Sequence, residues 1–417
     1  MKAIKVVHLV AGDLNGGAAR GACWLHKGLL KRGVESQIIT NHHDDFSDPT
    51  VTSLSGSTLR RIIALIVSKL DSLVLLLFPG RKRVIFSTGF FGINYKSDKS
   101  YKEADIVHLH WVNGLVSYRS IRSIKKPVIW SVRDMWPMTG GCHLSLDCEK
   151  YKTGCGNCPQ LNGAFGKDFT RHAVKAKRSA FRRVQPVGIS DWVTSQLNSS
   201  TVFGDNNAIT IYNNVDFSVF FPVNKEFSKE SLGLTTKKKI ILSGSTNCGD
   251  FYKGFSLFSE SLKSLDKDDY FICIFGKLDA AAITAMEATG FEYKALGFLH
   301  DDVSMRLAYN AADVFVAPSI QKPFGKTLVE ALACKVPVVC FDATGPAGIV
   351  EHKVNGYKAK AFEPEDMATG TDWVVKQSNY VTLSNDARDS AMKKFDSVVI
   401  ADKYIKIYSD LLCRDLK

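Results

Sequence analysis

The stretch ADVFVAPSIQKPFGKTLVEALACKVPVVCFD, Ala312 to Asp342, decides the fold. It opens with an apolar run closed by Pro318 and Ser319, short and continuous enough to be a strand buried on both faces. A loop passes through Phe324 and Gly325, and apolar residues then recur at helical spacing from Lys326, with Glu330 one turn inside. A second apolar run, VPVVCFD, completes a strand–helix–strand unit, which implies a parallel sheet. The first amides of that helix lack intrahelical acceptors, and glycine at 325 removes side-chain obstruction, so the helix start suits a diphosphate.

The same alternation extends outward. In the second half IILSGS, YFICIFG and EYKALGF read as further strands separated by helical segments. In the first half IKVVHLV leads through a Gly-rich turn into the helical ARGACWLHKGLLKRG, and SQIIT, ADIVHLHWV, KPVIWSVRD and QPVGISD follow. Several of these strands end in polar residues, and in open α/β sheets ligands sit beyond the carboxyl ends. A chain of 417 residues exceeds one ordinary core, and TIYNNVDFSVFFPVN, rich in turn formers and closing on Pro222, reads as a bridge. The expectation is an α/β protein of two Rossmann-like, doubly wound domains, 1–215 and 216–395, facing across a cleft. Residues 396–417 repeat apolar residues at helical spacing and are expected to form a helix packing back on the first domain.

With 45% hydrophobic and 23% charged residues the composition is that of a soluble globular protein without a long low-complexity tract. A formal charge of +12 favours anionic partners but does not choose among nucleic acid, phospholipid and nucleotide diphosphate. The start, MKAIKVVHLVAGD, reads as a first strand rather than a signal peptide, and six cysteines scattered singly in apolar surroundings fit a reducing compartment. A cytoplasmic location is expected.

Three segments carry candidate chemistry of their own. In AGDLNGGAARG, Gly16 and Gly17 let backbone approach an anion at a helix start, although the spacing is not that of a dinucleotide fingerprint. Arg60 to Phe78 is apolar but interrupted by Ser68, Lys69, Asp71 and Ser72, so it does not read as a membrane span. Its wide apolar face, near Arg60, Arg61, Arg81, Lys82 and Arg83, suits either a bilayer interface or packing beneath its own domain. In the loop 140–160, Cys142, Cys148, Cys155 and Cys158 gather around glycines, a pattern matching a closed tetrahedral zinc site. Such a site would be structural, since no ligand position is open; unliganded thiols are the alternative, and His143 reads as a spare loop residue.

The segment from Ala312 to Tyr357 closely resembles the donor-site signature of retaining glycosyltransferases of family 4, which have the two-domain GT-B fold. DFYKGFSLFSESLKSL, FICIFG, LGFLHDDVSMRLAYNAADVFVAPS and NGY also stand in the family's order. NGGAAR, DIVHLHW, RDMWPMTGGCH and ISDW resemble a subgroup associated with bacterial colanic acid and related exopolysaccharide or O-antigen assembly. The resemblance implies transfer of a sugar from a nucleotide-diphosphate donor to a growing, lipid-linked surface polysaccharide, with retention and without a catalytic metal. It would place Gly17 near the donor phosphates, His110 against the reacting sugar and Lys253 on the leaving diphosphate. Phe324, Gly325, Lys326 and Thr327 would form the donor loop, and Glu330 would accept hydrogen bonds from the ribose.

Three positions depart from that pattern. Lys322 stands where a second glutamate, eight residues before Glu330, contacts the donor sugar. Lys335 replaces a common glycine, and Arg133 stands where relatives often have histidine. Lys322 either turns to solvent and leaves a slow enzyme or pairs with an anionic sugar such as a uronic acid; the further alternative is a sugar- or glycan-binding protein that has lost turnover. The implied partners are a nucleotide-sugar donor, a glycan or lipid-linked oligosaccharide acceptor and the anionic inner face of the cytoplasmic membrane. Nucleic acid is not expected, because the basic residues are dispersed and the cysteine loop lacks the second C-x-x-C of a zinc ribbon.

Overall fold

The computed structural model describes residues 3–14, 16–42, 48–55, 58–82, 84–162 and 168–415, and the chain divides into two compact units. Unit 1 comprises Met1–Asn214 with Ser397–Lys417, and unit 2 comprises Val215–Asp396.

Unit 1 is built on strands β1 (Lys5–Leu9), β2 (Glu35–Thr40), β3 (Val51–Ser53), β4 (Ile106–Leu109), β5 (Val128–Val132), β6 (Val184–Gly188) and β7 (Ile209–Thr210). They form one parallel sheet in the order β3-β2-β1-β4-β5-β6-β7. Unit 2 contains β8 (Lys239–Asn247), β9 (Tyr270–Lys277), β10 (Tyr293–Gly297), β11 (Val314–Ala317), β12 (Val338–Phe341) and β13 (Gly356–Ala359), all parallel, in the order β10-β9-β8-β11-β12-β13. Central strands such as β4, β5, β11 and β12 are buried along their whole length, as strands covered by helices on both faces must be. In each sheet the strand order reverses once, between β1 and β4 and between β8 and β11. Those two points leave a crevice at the carboxyl ends.

The final helix, Ser397–Asp415, belongs to unit 1. Ile400, Ala401, Tyr404 and Tyr408 join Val6, Leu25, Leu29, Ile106 and Ile129 in one core. It lies so close to the first helix, Gly17–Lys31, that a Cβ at Gly28 would stand 2.6 Å from the Ser397 carbonyl oxygen. The hydroxyl of Tyr408 is 2.7 Å from His108 Nδ1, and that of Tyr404 is 2.5 Å from Ser131 Oγ, so two polar side chains of the sheet take their partners from this helix.

The helix Thr58–Leu73 and the turn Val74–Leu77 after it present an apolar surface. Ile62, Ile63, Leu65, Ile66, Leu73, Leu76 and Leu77 are exposed, the last two by 70% and 77%. The polar anchor points inward instead: the Asp71 carboxylate accepts from the amides of Thr88 and Gly89 at 2.9 and 3.0 Å. Beneath it Leu75 and Phe78 pack with Phe86, Phe169 and Leu161. This geometry leaves the apolar face uncovered within unit 1. Arg83 and the side chains of Arg60, Arg61, Ser68 and Ser72 lie outside the described residues. Among the described residues no helix is long and apolar enough to cross a membrane.

Removing Tyr408's hydroxyl leaves the buried His108 Nδ1 without a partner. Tyr408→Phe is expected to destabilise the protein by about 1–3 kcal/mol, and Tyr408→Ala, which also opens a cavity, by about 3–5 kcal/mol. Urea unfolding of the intact chain checks both values; equal midpoints for all three proteins would contradict the placement of this helix.

Candidate active site

In unit 2 the site grows out of the crevice between β8 and β11. After β8 the chain bends through an irregular register between Gly244 and Asn247 and enters a single turn, Phe251–Lys253. That turn ends on Gly254 at φ 71°, where a Cβ would stand 1.9 Å from the Pro318 carbonyl oxygen. Only glycine allows this approach, and through it Lys253 is laid against the end of β11. The next helix, Phe255–Leu262, starts from Gly254.

From the other side, β11 runs out through Pro318 and Ser319 into the loop that carries Lys322. The Gly345 amide donates to the Lys322 carbonyl at 2.9 Å, which fixes the backbone there. The side chain turns inward, with Nζ donating to Thr327 Oγ1 at 3.1 Å, so the solvent-facing alternative for Lys322 is not the one adopted. Lys253, Lys322 and Thr327 line one notch together with Ser243, Ser245 and Ser319, and among the described residues no carboxylate lines it.

The electrostatics follow from that composition. Burial, reinforced by repulsion from Lys253 and Lys326 and opposed by Glu330, holds Lys322 at about 7 instead of the usual lysine range. Lys253 is lowered as well, by burial, against the attraction of Asp250 and Cys248. Glu330 is buried and occupied: it accepts from the Tyr309 hydroxyl at 2.9 Å and pairs with Lys326 at 3.0 Å. Tyr309 gave no sign in the sequence of this role, since the spacing of AYNAAD reveals only a helix face.

Two residues of the expected donor loop do other work. Phe324 is buried and packs edge-on against Phe395, 5.8 Å between ring centres, so it does not line the notch. At Gly325, the residue before the helix Lys326–Ala333, a Cβ would meet Leu328 at 2.8 Å and Ile349 at 3.1 Å. Its missing side chain therefore makes room for packing rather than for a ligand.

Unit 1 has a comparable crevice at β1 and β4. Gly16 precedes the first helix and Gly17 begins it; both are exposed, and a Cβ on either would meet nothing within 4 Å. Nothing in the fold demands glycine there, which leaves open access to the helix amides.

His110 follows β4 and is turned into the unit, only 1% exposed. Its Nδ1 accepts from Arg133 at 3.2 Å, so Nε2 carries the proton and donates to His8 Nδ1 at 2.9 Å. Arg133 also donates to Asn213 at 2.8 Å. Burial pushes His8, His108 and His110 well below the usual histidine range, with the Arg133 charge adding to it, and these rings are neutral. The three bring their ring nitrogens within 4.8 Å of one another, the one such metal-type group among the described residues. They do not suit a cation: Arg133 donates into the cluster, and both nitrogens of His108 are taken by Tyr408 and Ser131.

The four cysteines of the 140–160 loop carry free thiols and line one small cavity. Burial pushes the Cys142 thiol up to about 12 and that of Cys155 up to about 11. His143 is not a spare residue: it is buried, with Nδ1 2.6 Å from Asp134 and Nε2 3.0 Å from Ser87 Oγ, while Trp111 donates to the same carboxylate at 3.0 Å.

Residues 224–393 match the family Glycosyl transferases group 1. Over 95% of this chain and 97% of its counterpart, the sequence is 23% identical to the putative colanic acid biosynthesis glycosyl transferase WcaC of Escherichia coli. A glycosyltransferase of Rickettsia africae superposes with a TM-score of 0.68 at 16% identity, covering 99% of both chains. Anabaena HepE, solved in complex with UDP-glucose, gives 0.65 at 16% identity over 98% of this chain and all of that one. With two parallel Rossmann-like sheets and this matched segment, the protein carries a glycosyl transferases group 1 domain on the GT-B fold.

Proposed function

We propose that the protein is a retaining glycosyltransferase that moves a sugar from a nucleotide-diphosphate donor to a lipid-linked bacterial surface glycan. The observation that carries this reading is the notch of unit 2, where two partly buried lysines and two helix starts come together and no carboxylate among the described residues lines the space. Such a site is short of negative charge, and a diphosphate supplies it. HepE, a protein of the same fold, binds UDP-glucose, which supports a nucleotide-sugar donor here.

On this reading the bond from the anomeric carbon to the diphosphate oxygen breaks as the acceptor hydroxyl oxygen bonds to the same face. The hydroxyl proton passes to the departing phosphate oxygen, and configuration is retained. Lys253 and Lys322 stabilise the charge that grows on the leaving group, a task a divalent ion would otherwise perform. Glu330, held in place by Tyr309 and Lys326, presents its carboxylate to the ribose hydroxyls. Neutral His110 has no spare basic nitrogen, so its part is to shape the sugar site rather than to move a proton. Gly16 and Gly17 leave backbone amides open to the donor phosphates.

The uncovered apolar face of Thr58–Leu77 supports contact with an anionic lipid surface, since Lys69 and Lys82 are exposed beside it and the whole chain carries +12. A membrane-borne acceptor fits that surface, and the relative WcaC is named for colanic acid biosynthesis.

Nucleotide release from a panel of nucleotide sugars tests the enzyme reading. Lys253→Ala is expected to lower turnover by about 10²–10³-fold while the chain remains folded. Donor binding without release in the wild type would favour the glycan-binding alternative. If Lys322 selects an acidic donor sugar, the wild type prefers a uronic-acid donor to its neutral counterpart and Lys322→Glu reverses the order; an unchanged order would remove that role.

For the surface, the protein is expected to float with anionic liposomes at low salt and to be released as the Debye length contracts to about 8 Å at physiological ionic strength. Leu76→Asp with Leu77→Asp, both exposed in the folded chain, should abolish flotation. Wild-type protein that stays in solution at every salt concentration would contradict the attachment.

A further inference from the structure

The cysteine loop belongs to no part of the proposed transfer chemistry, yet it is among the most constrained segments of unit 1. Gly154, Cys155, Gly156 and Asn157 all have positive φ, at 103°, 54°, 96° and 48°. Two non-glycine residues in the left-handed region wind the C-x-x-C stretch into a tight knuckle. The Gly156 amide donates to Thr170 Oγ1 at 2.9 Å and the Cys158 amide to Asp168, which pins the knuckle to the start of the helix Thr170–Ala180. From the opposite side Cys142 enters through an antiparallel bridge to Phe86.

The four side chains face one cavity, and a bound ion would draw their sulfurs in, since no three of them lie within 4.8 Å of one another. Cys142, Cys148, Cys155 and Cys158 line one cavity of about 20 Å³, the room of a single ion or water. Each of the four thiols lies within electrostatic reach of the other three. No histidine or carboxylate lines the cavity, and His143 has both ring nitrogens engaged elsewhere, by Asp134 and Ser87.

A second observation points to negative charge at this place. Lys177, on the helix that receives the knuckle, is fully buried at 0% exposure. Its ammonium donates to the carbonyls of Trp136 and Thr139 at 2.6 and 3.0 Å and lies 3.6 Å from the centre of the Trp136 ring. Burial lowers Lys177 to about 7, opposed most by Cys142 and Cys155 and less by Asp134 and Asp71. With neutral thiols as its foremost neighbours the buried lysine gives up its proton easily; beside a tetrathiolate metal centre, which carries two net negative charges, the ammonium is matched.

The geometry points to a structural zinc site formed by Cys142, Cys148, Cys155 and Cys158, with Lys177 balancing its charge. Zinc enters as the dication, four sulfur–metal bonds form, and four thiol protons pass to solvent, with no change of oxidation state. The centre ties the segment after β5 to the loop before Thr170. Cys142 and Cys158 also belong to the small core of Leu75, Phe78, Phe86, Leu161 and Phe169, so the metal braces the base of the apolar helix above it.

The test uses the full chain expressed without added zinc. Elemental analysis should find about one zinc per chain, and titration with an organomercurial should release it as the four thiols react. Cys155→Ser with Cys158→Ser should lose the metal. Because loss of a structural metal can unfold that variant, the wild type is examined in parallel by cobalt exchange, which should give the visible absorption of tetrahedral cobalt thiolate at about one equivalent. Folded wild-type protein that carries no zinc and takes up no cobalt, or whose four cysteines are found as disulfides by mass, would overturn the site.

Discussion

Two lysines share one notch that no carboxylate among the described residues lines, and the turn and the loop that carry them are built to that condition. Lys253 is brought in by a turn that only Gly254 permits, and Lys322 by a loop whose carbonyl is fixed by Gly345. Glu330, the buried acid that acts on Lys322, is held by Tyr309 and Lys326 and does not line the notch. The pair is tolerated because Lys322, at about 7, sheds its proton readily, so the empty site need not hold both charges. An anion seated in the notch would restore the second charge. The departure from the family pattern at position 322 thus sits where the electrostatics of the notch are decided.

Much of this was legible in the sequence. Continuous apolar runs such as VFVA and VVCF are the mark of buried parallel strands, and they fell where expected. The edge strands β3 and β7, of three and two residues, are too short to leave a pattern, and β13 starts on Gly356, which reads as a turn. That glycine is required because a Cβ would stand 2.1 Å from the Val338 carbonyl oxygen, a contact between strands distant in sequence.

Side-chain roles were harder to read because they depend on which neighbour is met across elements. Lys253, Lys322 and Thr327 do meet, since the strand order brings β8 and β11 together. Phe324 and Gly325, adjacent to them in sequence, face the packing side of the same loop. The family resemblance sets His110 against the reacting sugar, while as a strand-end histidine it can equally be satisfied inside; Arg133, arriving after the next strand, engages it there. The glycines show the same contrast: Gly28 and Gly254 are demanded by close backbone contacts, whereas Gly16 and Gly17 are demanded by nothing in the fold. That absence of a structural need is what gives the latter pair functional weight.

The central claim is that a diphosphate seats against Lys322 as well as Lys253, and proton uptake tests it most directly. Free Lys322 has its pKa lowered to about 7, so at pH 8 it is mostly neutral; a bound diphosphate favours the ammonium and raises that pKa, drawing in a proton. Calorimetric titration of the protein with UDP or another nucleoside diphosphate at pH 8, in two buffers of different ionisation enthalpy, should therefore reveal uptake of about one proton per nucleotide bound, abolished in Lys322→Gln. Tight binding with no proton uptake, or uptake unchanged by the substitution, would contradict the account.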